Sequence, residues 1–226
     1  MGKVQIIGVP QSTYVRTVRI AAEEKGIPYE VTAAAPHSPE VLALHPLGKV
    51  PAIRHDDFKL CESKAIATYF DGAFPGSRLI PEDVRAAARV EQWVSLMTSG
   101  FQPTFSLYLG GYFFPGTADG SPDRTRIDAA LGKLEHALTV LDHGVKASGY
   151  LVGDTFTFAD MIVLPTLLYL KTLPESGAMI EARPTLAEYI RRHESRPSVL
   201  ATTPPAITER DRTAVAEILK RMGTAS

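Results

Sequence analysis

The chain of 226 residues has one cysteine, one tryptophan and a formal charge of −1. A single cysteine, Cys61, cannot form an internal disulfide, which excludes a disulfide-stabilised secreted scaffold. The 24 basic side chains are scattered among 25 acidic ones, and this balance gives no attraction for a polyanion. We therefore expect neither nucleic acid nor an anionic membrane surface among its partners.

Long apolar runs are missing as well. The longest, residues 156–170, contains Asp160 and Pro165 and is shorter than the roughly 18–20 residues that span a bilayer. The N-terminus carries no apolar segment with a cleavage site. These absences predict a cytoplasmic protein without a transmembrane helix.

The first part of the chain alternates between strand and helix patterns. An apolar, β-branched segment at residues 4–9 precedes helical spacing that ends at Gly26. A strand at residues 29–32, a helix that begins at Ser38, a hairpin at residues 50–61 and a helix from Glu62 follow. The predicted order is β-α-β-α-β-β-α.

Prolines and glycines at residues 74–81 predict a linker, and the sequence after it has helical periodicity. Apolar and aromatic residues between positions 84 and 112 recur near helical spacing. Gly100 and Pro103 interrupt this pattern, which predicts a kinked or paired helix. Further helices are predicted at residues 127–141, 156–170, 186–192 and 207–219. The fold class is therefore an α/β domain followed by an all-α domain.

Ser12 lies in the turn between the first strand and the first helix, where helix N–H groups and the positive end of the dipole stabilise an anion. The surrounding sequence lacks the Gly-x-Ser-x-Gly elbow of serine hydrolases. The chemistry available to the Ser12 hydroxyl is hydrogen-bond donation to a bound anion. The alternative is a capping serine with no further role.

Two short motifs near the predicted hairpin also suit a ligand. Pro51 cannot donate to a strand ladder. A cis Val50-Pro51 bond would turn the Val50 backbone outward for an extended peptide, whereas a trans bond would mark an ordinary strand edge. Ser63 could donate to a ligand carboxylate while Glu62 receives an ammonium, or Ser63 is a helix N-cap and Glu62 a solvated acid.

These segments resemble the cytosolic glutathione transferase superfamily over nearly the whole chain, with a serine-type, phi-like N-terminal segment. The resemblance lies in residues 12–15, 47–53, 60–66 and 150–160. It implies a thioredoxin-like glutathione-binding domain over residues 1–80 and an all-helical domain over residues 87–226 that contributes the electrophile site. It also implies a homodimer, glutathione as co-substrate and a small hydrophobic electrophile as the second substrate.

The resemblance further implies individual roles. Ser12 would stabilise the nucleophilic glutathione thiolate, because a free thiol with a pKa of about 8.5 is mostly protonated at neutral pH. The other glutathione contacts would come from Val50 beside the cis proline Pro51, from Glu62 and Ser63 at the γ-glutamyl end, and from Lys49 or His37 at the glycyl carboxylate. The alternative interpretation is that Lys49 is an exposed surface lysine.

The electrophile is expected against the aromatic-rich segment of residues 101–113. Phe105, Tyr108 and Tyr112 are the candidates for its pocket, although most aromatic side chains there should be core. No metal is expected, because the six histidines show no ligand spacing. Further along, Thr157 and Asp160 have the spacing of a capping box, which serves stability and not catalysis.

Other functions are open at this point. A glutathione-dependent isomerase or dehalogenase would use the same thiolate, and a glutathione-binding module would lack catalysis. A thiol oxidoreductase would instead require Cys61. We expect Cys61 to be inert, because it ends a predicted buried strand and has no Cys-x-x-Cys partner.

Overall fold

The computed structural model describes residues 2–117, 119–209 and 212–213. The N-terminal domain contains one four-stranded sheet in the order β2-β1-β3-β4, in which β2 is parallel to β1 and the other pairs are antiparallel. Its elements are β1 (Val4–Ile7), α1 (Thr13–Lys25), β2 (Tyr29–Thr32), α2 (Pro39–Leu42), β3 (Ala52–His55), β4 (Phe58–Cys61) and α3 (Ser63–Ala73). The predicted β-α-β-α-β-β-α order is confirmed.

The hairpin differs from the prediction in two respects. β3 begins at Ala52 and not at residue 50, because Pro51 has no N–H for the ladder. β4 lies at the edge of the sheet, with Phe58 exposed and Cys61 half-buried, so the prediction of a buried strand there was wrong. Alternation of apolar and polar residues in a four-residue strand does not distinguish an edge from an interior position.

The helical domain follows the linker. It consists of α4 (Val84–Ser95), a π-helical segment (Leu96–Phe101), α5 (Gln102–Phe113), α6 (Arg124–Val145), α7 (Phe158–Leu170), α8 (Pro174–Glu181), α9 (Pro184–Glu194) and α10 (Pro197–Ala201). The interruption predicted near Gly100 and Pro103 is confirmed as the π-helical segment. None of the described helices is both long and apolar enough to cross a membrane.

The sequence analysis missed α8 and α10, which contain eight and five residues and are too short for a clear apolar period. Most of the helix predicted at residues 207–219 lies outside the described residues. The predicted fold class, a thioredoxin-like domain followed by an all-helical domain, is confirmed.

Helix α1 packs between the sheet and the helical domain. Because Pro165 in α7 has no N–H, the carbonyl of Met161 lacks its helical donor, and the Thr17 hydroxyl lies 3.1 Å from it. Tyr169, also in α7, donates to the carbonyl of Gln11 at 3.0 Å. These contacts fix the turn before α1, and with it Ser12, against the helical domain.

Candidate active site

A cavity of about 420 Å³ lies between the two domains. One wall is formed by the segment before β3 and by the start of α3, and the opposite wall includes Val94, Gln102 and Ile162 of the helical domain. Five of the predicted glutathione residues line it, namely Lys49, Val50, Pro51, Glu62 and Ser63. The fold thus brings together residues from two separate sequence motifs.

The Val50-Pro51 peptide bond is cis, as the resemblance predicted. The first paired residue of β3 is Ala52, which lies opposite Ile7 of β1. Val50 is therefore outside the strand register while it lines the cavity. Its backbone is available to a ligand that runs as an extended peptide.

The start of α3 forms the part of the wall that suits an anion. Ser63 is the first residue of the helix and is buried, and its side chain has no hydrogen-bond partner among the described residues. The first N–H groups of a helix have no intrahelical acceptor and lie at its positive end. A ligand carboxylate can accept hydrogen bonds from both sources.

Glu62 occupies the N-cap position with a φ of +70° and makes no side-chain cap, so the alternative of Ser63 as the N-cap is wrong. The Glu62 side chain is 67% exposed and lies 3.4 Å from Nε2 of His45. A negative charge beside the start of this helix suits the ammonium of a ligand that also carries a carboxylate.

His45 is a cavity residue that the sequence analysis did not select. It is buried, and its Nδ1 accepts a hydrogen bond from the Leu47 N–H at 3.1 Å. A neutral His45 ring therefore carries its proton on Nε2, on the side of Glu62 and the cavity. The predicted His37 is exposed, packs against Gly48 and does not line the cavity. Two histidines that flank α2 give no sequence pattern that separates their roles.

Ser12 caps α1, and its Oγ accepts a hydrogen bond from the Val15 N–H at 3.4 Å. Because the hydroxyl acts as an acceptor there, its own hydrogen is free to donate elsewhere. Ser12 itself lines neither this cavity nor the second one described below. The next two residues do: Thr13 lines the second cavity and Tyr14 the first.

Tyr14 connects α1 to the helical domain at the cavity. Its hydroxyl donates to Oε1 of Gln102 at 3.2 Å. Burial, and secondarily the charge of Glu62, raises the pKa of Tyr14 to about 12, so the phenol is protonated at neutral pH and acts as a donor. The sequence analysis missed Tyr14, because one aromatic residue in the first turn of a helix is typical of a core position.

A second cavity of about 270 Å³ adjoins the first, and Gln102 lines both. Of the three residues predicted for the electrophile, Phe105 lines this second cavity. Tyr108 and Tyr112 line neither one, and both donate to the carboxylate of Glu175. A buried phenol normally finds such a partner.

The Glu175 carboxylate is held ionised by its neighbours. Burial by itself would raise the pKa of Glu175, but hydrogen bonds from Tyr112 and Arg124 outweigh burial and hold the pKa at about 2. This carboxylate therefore keeps Tyr108 and Tyr112 engaged as donors throughout the neutral range.

Cys61 is half-buried at the end of β4. Burial, followed by the charge of Glu62, raises the pKa of its thiol. The protonated thiol is a poor nucleophile, which agrees with the expectation that Cys61 is inert. Within the described ranges, no three His, Cys, Asp or Glu side chains form a group that could hold a metal ion.

Comparison with known proteins connects this site to a family. Residues 6–78 match the family model of the glutathione S-transferase N-terminal domain, and residues 99–197 match that of the C-terminal domain. The probable glutathione S-transferase GSTF1 of Oryza sativa subsp. japonica is 30% identical over 208 residues, which cover 88% of this chain and 94% of the relative.

Two solved structures are also similar. The crystal structure of glutathione transferase F7 from Populus trichocarpa has a TM-score of 0.79 and 28% identity, and covers 88% of this chain and 97% of its own. A glutathione S-transferase from Methylobacillus flagellatus has a TM-score of 0.75 and 27% identity, covering 90% and 100%. The chain therefore belongs to the glutathione S-transferase family and is a glutathione-conjugating enzyme.

Proposed function

We propose that this enzyme joins glutathione to small hydrophobic electrophiles and uses Ser12 to stabilise the thiolate. The observation that carries the proposal is the wall of the first cavity, where Val50, Glu62 and Ser63 are brought together. These groups match the parts of a γ-glutamyl peptide. The solved Methylobacillus flagellatus relative has GSH bound, which supports the same ligand here.

In this proposal the γ-glutamyl carboxylate lies at Ser63 and the start of α3, and its ammonium lies at Glu62. The backbone of Val50 pairs with the cysteinyl residue. Lys49, which is exposed and lines the cavity, is placed to meet the glycyl carboxylate. Since His37 lies outside the cavity lining and His45 lies within it, we assign to His45, as a hydrogen-bond donor, the role that the resemblance implied for His37.

The extended peptide then directs its sulfur toward the start of α1. There the Ser12 hydroxyl and the first N–H groups of the helix stabilise a thiolate. The thiol proton leaves to solvent, the sulfur forms a bond to the electrophilic carbon, and the leaving group departs with the electron pair of the broken bond. Ser12 donates a hydrogen bond throughout and does not ionise.

We further propose a cytoplasmic homodimer that acts in detoxification, with the glutathione site mainly in residues 1–80 and the electrophile site mainly in residues 87–226. Exposed apolar side chains support a partner surface on the described part of the chain: Leu47 is 60% exposed, Phe58 42% and Val84 77%. Sedimentation velocity tests the dimer directly, since a monomer across the micromolar range would contradict it.

The proposed function is tested by calorimetric titration of glutathione in two buffers of different ionisation enthalpy. We expect binding with nearly one proton released per site at neutral pH, because the bound thiol ionises. Binding without proton release would indicate a non-catalytic glutathione-binding module. Absence of binding would contradict the assignment of the first cavity.

Ser63→Ala is expected to weaken glutathione binding at least tenfold with little change in kcat, because one hydrogen bond to a charged group contributes about 1.5–3 kcal/mol. The matched control is Thr68→Ala on the exposed face of the same helix, where the hydroxyl bonds only to Lys64. Its glutathione Kd should equal that of the wild type. Equal Kd values for both variants would remove Ser63 from the site.

A further inference from the structure

The second cavity is more polar than a pocket for a purely apolar electrophile. Phe105, Leu109 and Phe114 form its apolar wall, while Arg126 and Thr166 are polar residues of the lining. Small-molecule sites typically combine an apolar wall with a few polar groups that select the ligand. The polar residues of the lining therefore determine which chemical group of a ligand this cavity binds selectively.

Arg126 carries a charge that the described chain leaves uncompensated. Arg124 and Arg126 both lie in the first turn of α6, where the helix dipole disfavours cations. Arg124 pairs with Asp128 and Glu175, both at 2.5 Å. Arg126 forms no ion pair with any described residue, and its side chain donates to the carbonyl of Phe114 at 3.1 Å.

Gly110 leaves the space in which the Arg126 guanidinium lies. A Cβ atom at residue 110 would be 2.1 Å from Nη2 of Arg126, so any other residue would displace the guanidinium. Glycine within a helix is destabilising relative to alanine. Gly110→Ala would therefore displace the guanidinium of Arg126 while it stabilises α5. The variant thus tests the position of this charge without lowering the stability of the fold.

Thr166 adds a second group that lacks a partner. Its hydroxyl is buried and has no hydrogen-bond acceptor or donor among the described residues, although buried hydroxyls are normally satisfied. A carboxylate accepts several hydrogen bonds and matches the planar guanidinium of arginine. A ligand carboxylate would thus compensate the charge of Arg126, the cationic residue of this lining.

The cavity adjoins the expected position of the glutathione sulfur. Gln102 lines both cavities, and Thr13, which follows Ser12 in sequence, lines the second. We propose that the second cavity selects electrophiles that carry a carboxylate on an apolar ring, and that Arg126 pairs with this carboxylate. The inference rests on the proposed glutathione conjugation and specifies its second substrate.

The test compares two product conjugates by calorimetry: the glutathione conjugate of a dinitrobenzoate and that of the corresponding dinitrobenzamide, which lacks the negative charge. Glutathione alone is titrated in parallel. We expect the wild type to bind the carboxylate conjugate at least tenfold more tightly than the amide. Arg126→Gln and Gly110→Ala should abolish this preference without changing the Kd of glutathione.

Arg124→Gln is the matched control, because it removes the same charge from the same helix turn but not from the cavity lining, and it should retain the preference. The melting temperature of Gly110→Ala should not fall below that of the wild type. Equal affinity of the wild type for both conjugates, or a preference that survives in Arg126→Gln, would overturn the inference. Failure of glutathione alone to bind would instead contradict the proposed function.

Discussion

Replacing Ser12 with alanine should lower kcat by about 100-fold at pH values below the pKa of the bound thiol, within the range for loss of one preorganised hydrogen-bond donor. Glutathione should still bind, because the peptide contacts that we propose come from Val50, Glu62 and Ser63 in the first cavity. The Ser12 hydroxyl accepts from Val15 and has its own hydrogen free. Its loss removes the donor to the thiolate and leaves the rest of the wall in place.

The pH dependence distinguishes this role from a general loss of structure. A 100-fold effect corresponds to about two units in the pKa of the bound thiol, or about 2.7 kcal/mol. In Ser12→Ala that pKa should rise toward the value of about 8.5 for a free thiol. The deficit in kcat should therefore shrink as the pH is raised from about 6.5 to about 9.5, and thiolate absorbance should report the same shift.

Ser38→Ala provides the matched control. Ser38 caps α2 as Ser12 caps α1, and its Oγ accepts from the Val41 N–H at 3.3 Å. Both variants lose a cap that typically contributes about 1 kcal/mol to stability. Only Ser12→Ala should lose turnover. A similar loss of kcat in both variants, or a deficit in Ser12→Ala that is constant across pH, would contradict the thiolate role.

The sequence predicted some residues of this site and missed others. The family resemblance of short motifs identified Val50, Pro51, Glu62 and Ser63. The local pattern, a proline at a strand start and a polar pair at a strand–helix junction, indicated a ligand site but left structural alternatives open. Tyr14 carries no such local signal. It becomes a site residue because the helical domain places Gln102 at hydrogen-bond distance from it, and that contact spans 88 positions in sequence.

The helical domain illustrates the same limit for the electrophile. An aromatic-rich helix indicates an apolar surface, but whether each ring packs in the core or lines the cavity depends on its neighbours from other helices. Tyr108 and Tyr112 are drawn to Glu175 of α8, a helix too short to be predicted. Arg126 gave no signal either, since its lack of an ionic partner among the described residues is a property of the packed structure.

Asp160→Ala should produce the largest loss of stability, about 4 kcal/mol, which is typical of breaking a buried polar network. Asp160 is fully buried, and its carboxylate accepts from the Leu151 N–H at 2.9 Å, the Thr157 N–H at 3.0 Å and the Tyr189 hydroxyl at 3.1 Å. The capping box predicted from Thr157 and Asp160 is confirmed, and it is one part of this larger network.

Alanine at position 160 would leave these donors buried without an acceptor. For a chain of this size, about 4 kcal/mol corresponds to a fall in melting temperature of about 10 °C, which differential scanning calorimetry can measure. Asp154→Ala is the matched control, because Asp154 is exposed in the loop that precedes α7 and should change stability by less than about 0.5 kcal/mol. Similar melting temperatures for the two variants would contradict the role of the network.

The charge state of Asp160 gives the network a pH dependence of definite sign. Burial raises the pKa of Asp160 from its usual value of 3.8 to about 6, although the hydrogen bonds that the carboxylate accepts oppose this rise. Between these values the folded protein holds a proton that the unfolded chain has released, so this group makes the free energy of unfolding fall as the pH rises from about 4 to about 6. Asp160→Asn cannot titrate and should lack this component. Urea denaturation across that range measures the free energy of unfolding of the wild type minus that of Asp160→Asn, and this difference should decline as the pH rises. A difference that grows with pH would show that the hydrogen bonds outweigh burial and that the carboxylate is ionised throughout.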